Sequence, residues 1–313
     1  MAEGAAQPAG VLVMSYGTPE SMDAIEAYYT HIRRGRPPTK EQLEDLKRRY
    51  EAIAGGIFPL REHTNRQVDA LQRKLDELAG KGRFVCYQGL KHAAPFIEDG
   101  VRAMAADGIR EGAGIVLAPH YSVMSVGGYI RRAQEEADQC GIRMRFVKQY
   151  HLHPLLIEAL ADRVREALAR FPRPEEALVL FSAHSLPEKI LAMGDPYQEQ
   201  LLATSQAVAE AAGVQRWQFT WQSAGQTGER WLGPDILETL ERLAAEGVRE
   251  VLSAPVGFVS DHLEVLYDID IEAKAFAAER GIRLERIRML NDDDRYMTVL
   301  ADCVQKAFGG LET

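Results

Sequence analysis

The chain has 313 residues, 46% of them hydrophobic and 27% charged, with a formal net charge of −9. Such a chain can bury a sizeable core, either as two domains or as one large α/β unit. The acidic balance excludes a nucleic-acid binder, three scattered cysteines (Cys86, Cys140, Cys303) exclude disulfide frameworks and four-cysteine metal sites, and no apolar run reaches the roughly 18 residues of a membrane span.

The first ten residues show no basic segment followed by an apolar run. The expected compartment is therefore the cytoplasm, where thiols stay reduced. Residues 11–15 read as a buried strand, and Tyr16-Gly-Thr-Pro19 as the turn at its end. A helix carrying Ile25, Tyr28, Tyr29 and Ile32 follows. Pro37-Pro38 then breaks the chain, and Thr39 with Gln42 forms a capping box that opens a new helix. That helix is predicted to bury Leu43, Leu46, Tyr50 and Ile53 and to end in a loop at Gly55-Gly56 and Pro59. Beyond it, amphipathic helices alternate with strand candidates at residues 83–88, 114–118, 144–148, 177–181, 215–221, 250–254 and 283–287. This βαβα order predicts mostly parallel sheets covered on both faces.

The two halves echo each other. Val13-Met-Ser-Tyr-Gly-Thr-Pro-Glu20 resembles Leu180-Phe-Ser-Ala-His-Ser-Leu-Pro-Glu188, and Val116-Leu-Ala-Pro119 resembles Leu252-Ser-Ala-Pro255. The expected fold is α/β: two Rossmann-like halves, residues 1–150 and 151–313, each a mostly parallel sheet flanked by helices. The active-site cleft is expected between the halves, because ligands in such folds sit beyond the C-terminal strand ends. Tyr16, His120, His184 and the helix carrying Glu264 all follow strands and would converge there.

Residues 255–272 organise the chain. Read as a helix from about Ser260, they place Glu264, Asp268 and Glu272 on one face, apart from an apolar stripe of Leu263, Leu266 and Ile269. Like charges at i, i+4 cost about 0.2–0.5 kcal/mol per pair in water. The row is either a solvated acidic face or a hard-cation site. His262 and the apolar run before it favour the cation.

His184 follows a strand of Leu and Val. Ser182 and Ser185 beside it lack the G-x-S-x-G elbow of a hydrolase. Neither Gly55-Gly56 nor Gly127-Gly128 makes a nucleotide-binding pattern. His31 and His63 read as solvated, His92 as a residue behind the pocket, and His120 as core or pocket wall. His151 and His153 form an H-x-H with no carboxylate close by in sequence. Residues 31–49 carry seven Lys and Arg against three Asp and Glu, with Tyr28, Tyr29 and Tyr50 in or beside the segment. That pattern is either a solvated face or a surface for an aromatic body with acidic arms, since Arg pairs carboxylates bidentately.

Taken together these pieces resemble a ferrochelatase of the soluble, cluster-free bacterial type. The matching residues are Tyr16-Gly-Thr-Pro19, Tyr29-Thr-His-Ile-Arg-Arg-Gly-Arg36, Gly89-Leu-Lys-His92, Leu117-Ala-Pro-His120, Ser182-Ala-His-Ser-Leu-Pro-Glu-Lys189, Trp231-Leu-Gly-Pro-Asp235 and Pro255-Val-Gly-Phe-Val-Ser-Asp-His-Leu-Glu264. The resemblance implies a chelatase-like fold and insertion of ferrous iron into coproporphyrin III. Its alternatives are protoporphyrin IX as substrate, or a non-enzymatic porphyrin or haem carrier of the same shape.

The roles it implies are these. His184 and Glu264 face each other across the metal path on one side of the ring, as metal ligands and catalytic groups. Tyr16 approaches the other face as axial ligand of the product iron. Arg33, Arg49, Tyr50, Phe58 and Tyr129 occupy positions that line the porphyrin. Asp268 and Glu272 extend the carboxylates outwards as a relay or a second divalent-ion (Mg) site. A widened π-type turn is expected near Glu264. At the family's Gly-Gly-x-Ser-Pro-Leu, this chain has Ala54-Gly-Gly-Ile-Phe-Pro-Leu60, with Phe58 in place of the serine. No prosthetic cofactor is expected, and no iron–sulfur cluster, since Cys303 stands alone near the C-terminus. The expected partners are porphyrin and ferrous iron, with transient contact to haem-pathway enzymes. Nucleic acid and a membrane span are not expected, and the chain is expected to be a monomer.

Overall fold

The structure, a computed structural model, describes residues 7–54, 58–225 and 227–309. Gly55, Gly56 and Ile57, where a loop is expected, lie outside the described residues. The chain divides into two compact units. One runs to Tyr150 and includes the residues from Asn291 onward; the other is His151–Leu290.

The first unit is built on strands β1 (Ala9–Ser15), β2 (Phe84–Leu90), β3 (Glu111–Val116) and β4 (Arg143–Val147), all parallel in the order β2-β1-β3-β4. Residues Val11 to Met14 of β1 are fully buried, as expected of a central parallel strand with helices on both faces. The sheet is flanked by helices α1 (Ile25–Ile32), α2 (Lys40–Ala54), α3 (Pro59–Ala79), α4 (Ile97–Ala106) and α5 (Val126–Cys140). Leu12, Met14, Ile97, Val101, Met104, Val126 and Ala133 form its core. Fully burying each of the larger aliphatic ones contributes about 1.5–3 kcal/mol.

The second unit repeats the plan. Its strands β5 (Leu178–His184), β6 (Trp217–Gln222), β7 (Glu250–Ala254) and β8 (Arg283–Arg286) are parallel in the order β6-β5-β7-β8. Helices α6 (Pro154–Leu168), α7 (Lys189–Ala192), α8 (Tyr197–Ala212), α9 (Ile236–Ala245), α10 (Leu263–Leu266) and α11 (Lys274–Glu279) accompany it. In both units the first strand sits between the second and third. The strand order therefore reverses at β1/β3 and at β5/β7, the positions where such sheets bind ligands beyond their C-terminal ends.

Several expectations change. The C-terminal helix α12 (Asp294–Gly309) belongs to the first unit, not to a second half of 151–313. Tyr296 is fully buried there with its hydroxyl 2.9 Å from that of Tyr150, Lys74 meets Asp294 at 2.7 Å, and Gln67 donates to the Asn291 carbonyl. The Thr39–Gln42 capping box forms in both directions. Of the residues expected to bury on α2, only Tyr50 does; Leu43, Leu46 and Ile53 are half-buried. Pro59 opens α3 at its first position instead of closing a loop, because a proline there loses no helical hydrogen bond. Strand β5 runs three residues beyond position 181, because β6 continues beside it and pairs Gln222 with His184.

Candidate active site

In the second unit the C-terminal end of β5 delivers His184, and the loop after β7 leads to Glu264. Gly257 lets that loop lie against β5. A Cβ there would come 2.3 Å from the Ala183 Cβ, and the Gly257 amide donates to the Ser182 carbonyl at 3.1 Å. The loop then enters α10, a single turn that carries Glu264.

His184 Nε2 lies 3.5 Å from Glu264 Oε1. Its Nδ1 donates to the Ser185 carbonyl, which leaves Nε2 as the nitrogen that titrates. The other carboxylate oxygen, Oε2, lies 3.2 Å from His262 Nε2, and His262 Nδ1 bonds the Ser260 carbonyl at 2.9 Å. Glu264 thus sits between two imidazoles, each oriented by a backbone carbonyl. Gln222 Nε2 donates to the Glu264 carbonyl at 2.9 Å, and Ser182 Oγ donates to Gln222 Oε1 at 2.8 Å. Tyr197 donates to the His184 carbonyl, and the Trp231 ring lies 6.2 Å from the imidazole.

Burial opposes protonation of His184, but the Glu264 carboxylate and the Ser185 carbonyl outweigh it and push the imidazole up to about 8. Burial would raise Glu264; His184 and His262 together hold it well below the usual carboxylate range. The resting pair is imidazolium and carboxylate. Once His184 loses its Nε2 proton, one nitrogen and one oxygen face a common point, a donor set that suits a divalent transition metal. In the metal-free protein the His184 imidazole is expected to titrate near pH 8 by NMR, and Glu264→Gln to bring the midpoint down. A midpoint at or below the ordinary 6.5 would contradict the coupling. Since the folded value lies above 6.5, the pair stabilises the fold fully below about pH 6.5 and loses that contribution as pH rises through about 8.

Glu264, Asp268 and Glu272 lie along one helical segment, with Asp268 near enough to His184 to help raise it. The helix begins at Leu263, not near Ser260, and passes into a π-helix at Asp268–Ala273, where the Glu272 amide reaches back to the Tyr267 carbonyl. The widened turn expected near Glu264 is therefore this next turn. Glu264 meets His184, Asp268 is buried and accepts from Ser223, and Glu272 is exposed. Val265 and Ile269 bury, while Leu263 and Leu266 are half-buried. Among the described residues, no group of three or more His, Cys, Asp or Glu is arranged to hold a metal ion.

In the first unit Tyr16 stands at the end of β1, 41% exposed. His92 lies against it, with ring centroids 4.6 Å apart, and the His92 amide donates to the Tyr16 carbonyl at 3.0 Å. Burial and the neighbouring Lys91 ammonium push His92 down to about 3, so its ring is neutral. Gly17 follows at φ +85, with Tyr28 donating to its carbonyl. His31 is exposed but not merely solvated: its Nδ1 lies 3.0 Å from His92 Nδ1, and its ring packs on Phe96.

Tyr50 and Phe58 are both buried, ring against ring at 4.7 Å, with the Tyr50 hydroxyl 3.2 Å from Thr18 Oγ1. Tyr129 is buried beneath Lys91, whose ammonium lies 4.8 Å from the ring centroid. Burial, with Arg132, Arg131 and Arg34 nearby, brings Lys91 down to about 8. Arg33 lies over Tyr29, and Arg49 shares Asp45 with Arg48. His120 is buried. The H-x-H pair separates, with His151 buried and His153 capping α6.

Sequence reasoning left His262 as an accessory and overlooked Gln222, Lys91 and the contact of His31 with His92. His262 stands two residues from Glu264, a spacing that an extended residue before a helix turns towards the same point. The others are brought in by strand pairing and loop packing, which leave no local pattern.

A protein-family model described as Ferrochelatase matches residues 8–308. A ferrochelatase from Herpetosiphon aurantiacus is 48% identical over 299 residues, 94% of this chain and 97% of that protein. A coproporphyrin III ferrochelatase from Halalkalibacterium halodurans is 47% identical over 305 residues, covering 97% and 98%. One from Geobacillus kaustophilus is 48% identical over 302 residues, 95% of each chain. Among solved structures, the sirohydrochlorin chelatase SirB from Bacillus subtilis with cobalt superposes with a TM-score of 0.58 at 11% identity, over 96% of this chain and 95% of that one. SirB with Fe3+ gives 0.60 at 12%, over 97% and 99%; these two establish the chelatase fold and nothing finer. The matched span takes in Tyr16, His184 and Glu264 at the strand ends described above, and the chain belongs to the ferrochelatase family.

Proposed function

We propose that this enzyme inserts ferrous iron into coproporphyrin III to give coproheme, with His184 and Glu264 as the reacting pair. The observation that carries the reading is the His184–Glu264 contact, with each partner held from behind by the backbone or by Gln222. Insertion breaks two pyrrole N–H bonds and forms the iron–nitrogen bonds, so two protons must leave. His184 first gives its Nε2 proton to solvent, and the neutral nitrogen offers iron a ligand as its waters are stripped; the ionised Glu264 accepts the two pyrrole protons in turn, handing the first to water before it takes the second. A carrier would need an axial ligand but has no use for this pair. For the substrate, the support is the near full-length similarity to relatives named for coproporphyrin III and the cations at Arg33, Arg34 and Lys91.

Tyr16 supplies a phenolate to the product iron in this reading. Tyr16→Phe should then shift the optical spectrum of bound ferric product more than it lowers the insertion rate; an unchanged spectrum makes Tyr16 a wall residue. The reaction runs in the cytoplasm on a monomer that meets later haem-pathway enzymes transiently. No helix among the described residues is long and apolar enough to cross a membrane, and Cys86, Cys140 and Cys303 are free thiols. Mixing the purified protein anaerobically with coproporphyrin III and Fe(II) while following the Soret band tests the proposal. Porphyrin binding without insertion would mark a carrier instead.

A further inference from the structure

Glu264 sits in the first turn of its helix. Helix α10 runs on through the π-helix at Asp268–Ala273 into α11, so this turn has helix on one side and loop on the other, and helix ends fray. Its placement depends on what grips its two flanks. Val265 is buried, and Gln222 holds the Glu264 carbonyl. The remaining charged anchor is Arg286, the last residue of β8.

Arg286 reaches both sides of the turn. Its Nε and one terminal nitrogen donate to the two oxygens of Asp270 at 2.8 Å each, a bidentate fork onto the π-helix that follows α10. The same terminal nitrogen lies 3.1 Å from Asp261 Oδ1, in the loop that precedes α10. The other terminal nitrogen donates to the Ile287 carbonyl. The side chain is 14% exposed, so its two carboxylates are met with little screening by water. One guanidinium thus ties the residue next to His262 and the turn after Glu264 to one strand end. A planar fork with fixed donor directions can hold that geometry where a lysine ammonium cannot.

We infer that Arg286 is a positioning residue for Glu264, holding the carboxylate at its distance from His184 by fixing both flanks of α10. This rests on the reading of His184 and Glu264 as the reacting pair. Arg286 touches neither iron nor porphyrin in this account.

The experiment is steady-state insertion of Fe(II) into coproporphyrin III by the full chain, with thermal midpoints recorded in parallel. The variants are Arg286→Gln, Arg286→Lys, Glu264→Gln and, as a control on the same strand, Arg283→Gln. Arg283 is half-exposed and pairs Glu285 and the Arg170 carbonyl. Arg286→Gln should lower kcat roughly 10- to 100-fold with porphyrin KM within about twofold of the parent, the range seen when groups that orient metal-site residues are removed. Arg286→Lys should recover part of the loss, and Arg283→Gln should keep kcat. The inference is overturned if folded Arg286→Gln and Arg286→Lys both keep parental kcat and Fe(II) KM. It is equally overturned if their losses only track the folded fraction, as the control would. Should Arg286→Gln fail to fold, Arg286→Lys decides alone: parental kinetics overturn the inference, and reduced kcat at unchanged porphyrin KM upholds it. Parental turnover in Glu264→Gln removes the catalytic reading itself, and the inference with it.

Discussion

Glu264→Gln and His184→Ala are each expected to reduce iron insertion by at least about a hundredfold, the low end of what a positioned proton-transfer group contributes. In the proposed reaction the two side chains act as one pair, His184 from the end of β5 and Glu264 from α10. Glu264 stays ionised because His184 and His262 flank it, and His184 keeps its proton to about 8 because Glu264 faces it. A glutamine at 264 keeps the volume but can neither accept a proton nor offer iron a charged oxygen. It also returns His184 towards its ordinary value, since the partner that raised it is gone. The fold should survive, because both side chains are about one-third exposed and contribute little to the core. Since the pair acts as a unit, the double variant should lose little more than either single one. Anaerobic turnover followed at the Soret band, with circular dichroism as the folding control, checks both points. Near-parental turnover in either single variant, or cleanly multiplicative losses in the double, would contradict the pairing.

Much of this was legible in the sequence because it is written locally. Eight apolar runs ended where turn residues appear, and all eight became parallel strands, with ends off by a few residues where a neighbouring strand kept pairing. The echo between the Tyr16 and His184 segments is matched by two sheets with the same strand order. His184 stood out because it ends a buried strand in a parallel sheet, where side chains reach a ligand-binding edge, and Glu264 because it opens a run of carboxylates four residues apart; the resemblance supplied their pairing.

What was not legible depends on partners far away in the chain. Helix α12 carries an amphipathic pattern that would suit either unit; Tyr296 against Tyr150 decides it. The carboxylate row was drawn on an ideal α-helix, whereas the segment after Glu264 is a π-helix in which Asp268 accepts from the Ser223 hydroxyl. Arg286 closes a fork on Asp270 sixteen residues earlier and reaches Asp261 beyond that, across a loop, a helix and a strand. No periodicity announces such a contact. Phe58, expected among the residues that line the porphyrin, packs its ring on that of Tyr50 and is buried, a contact between residues eight apart that no local pattern announces.

That burial bears on the second large effect, a preference for coproporphyrin III over protoporphyrin IX. The first has four propionates; the second has two, with two apolar vinyls in place of the others. Phe58 is 6% exposed, so it offers a vinyl little surface. Cations, by contrast, are close at hand. Arg34 adopts φ 56 and Gly35 φ 84 in the turn that ends α1, which exposes Arg34 and Arg36. Lys91 lies near enough to Arg34, Arg131 and Arg132 that they depress its ammonium to about 8 once burial has done its part. Such a cluster is relieved when carboxylates arrive, and each charge-assisted bond to a propionate is worth about 1.5–3 kcal/mol. At the lower figure, one such bond for each of the two extra propionates gives roughly a hundredfold in kcat/KM. Part of the cationic segment is already spent, since Asp45 occupies Arg48 and Arg49, so the discrimination should fall on Arg33, Arg34 and Lys91. Replacing Lys91 by Met should therefore weaken coproporphyrin more than protoporphyrin and narrow the ratio. The check is kcat/KM for both porphyrins under identical detergent-free conditions, in the parent and in Lys91→Met. Equal values in the parent, or a preference for protoporphyrin, would overturn the assignment of substrate while leaving the His184–Glu264 chemistry untouched.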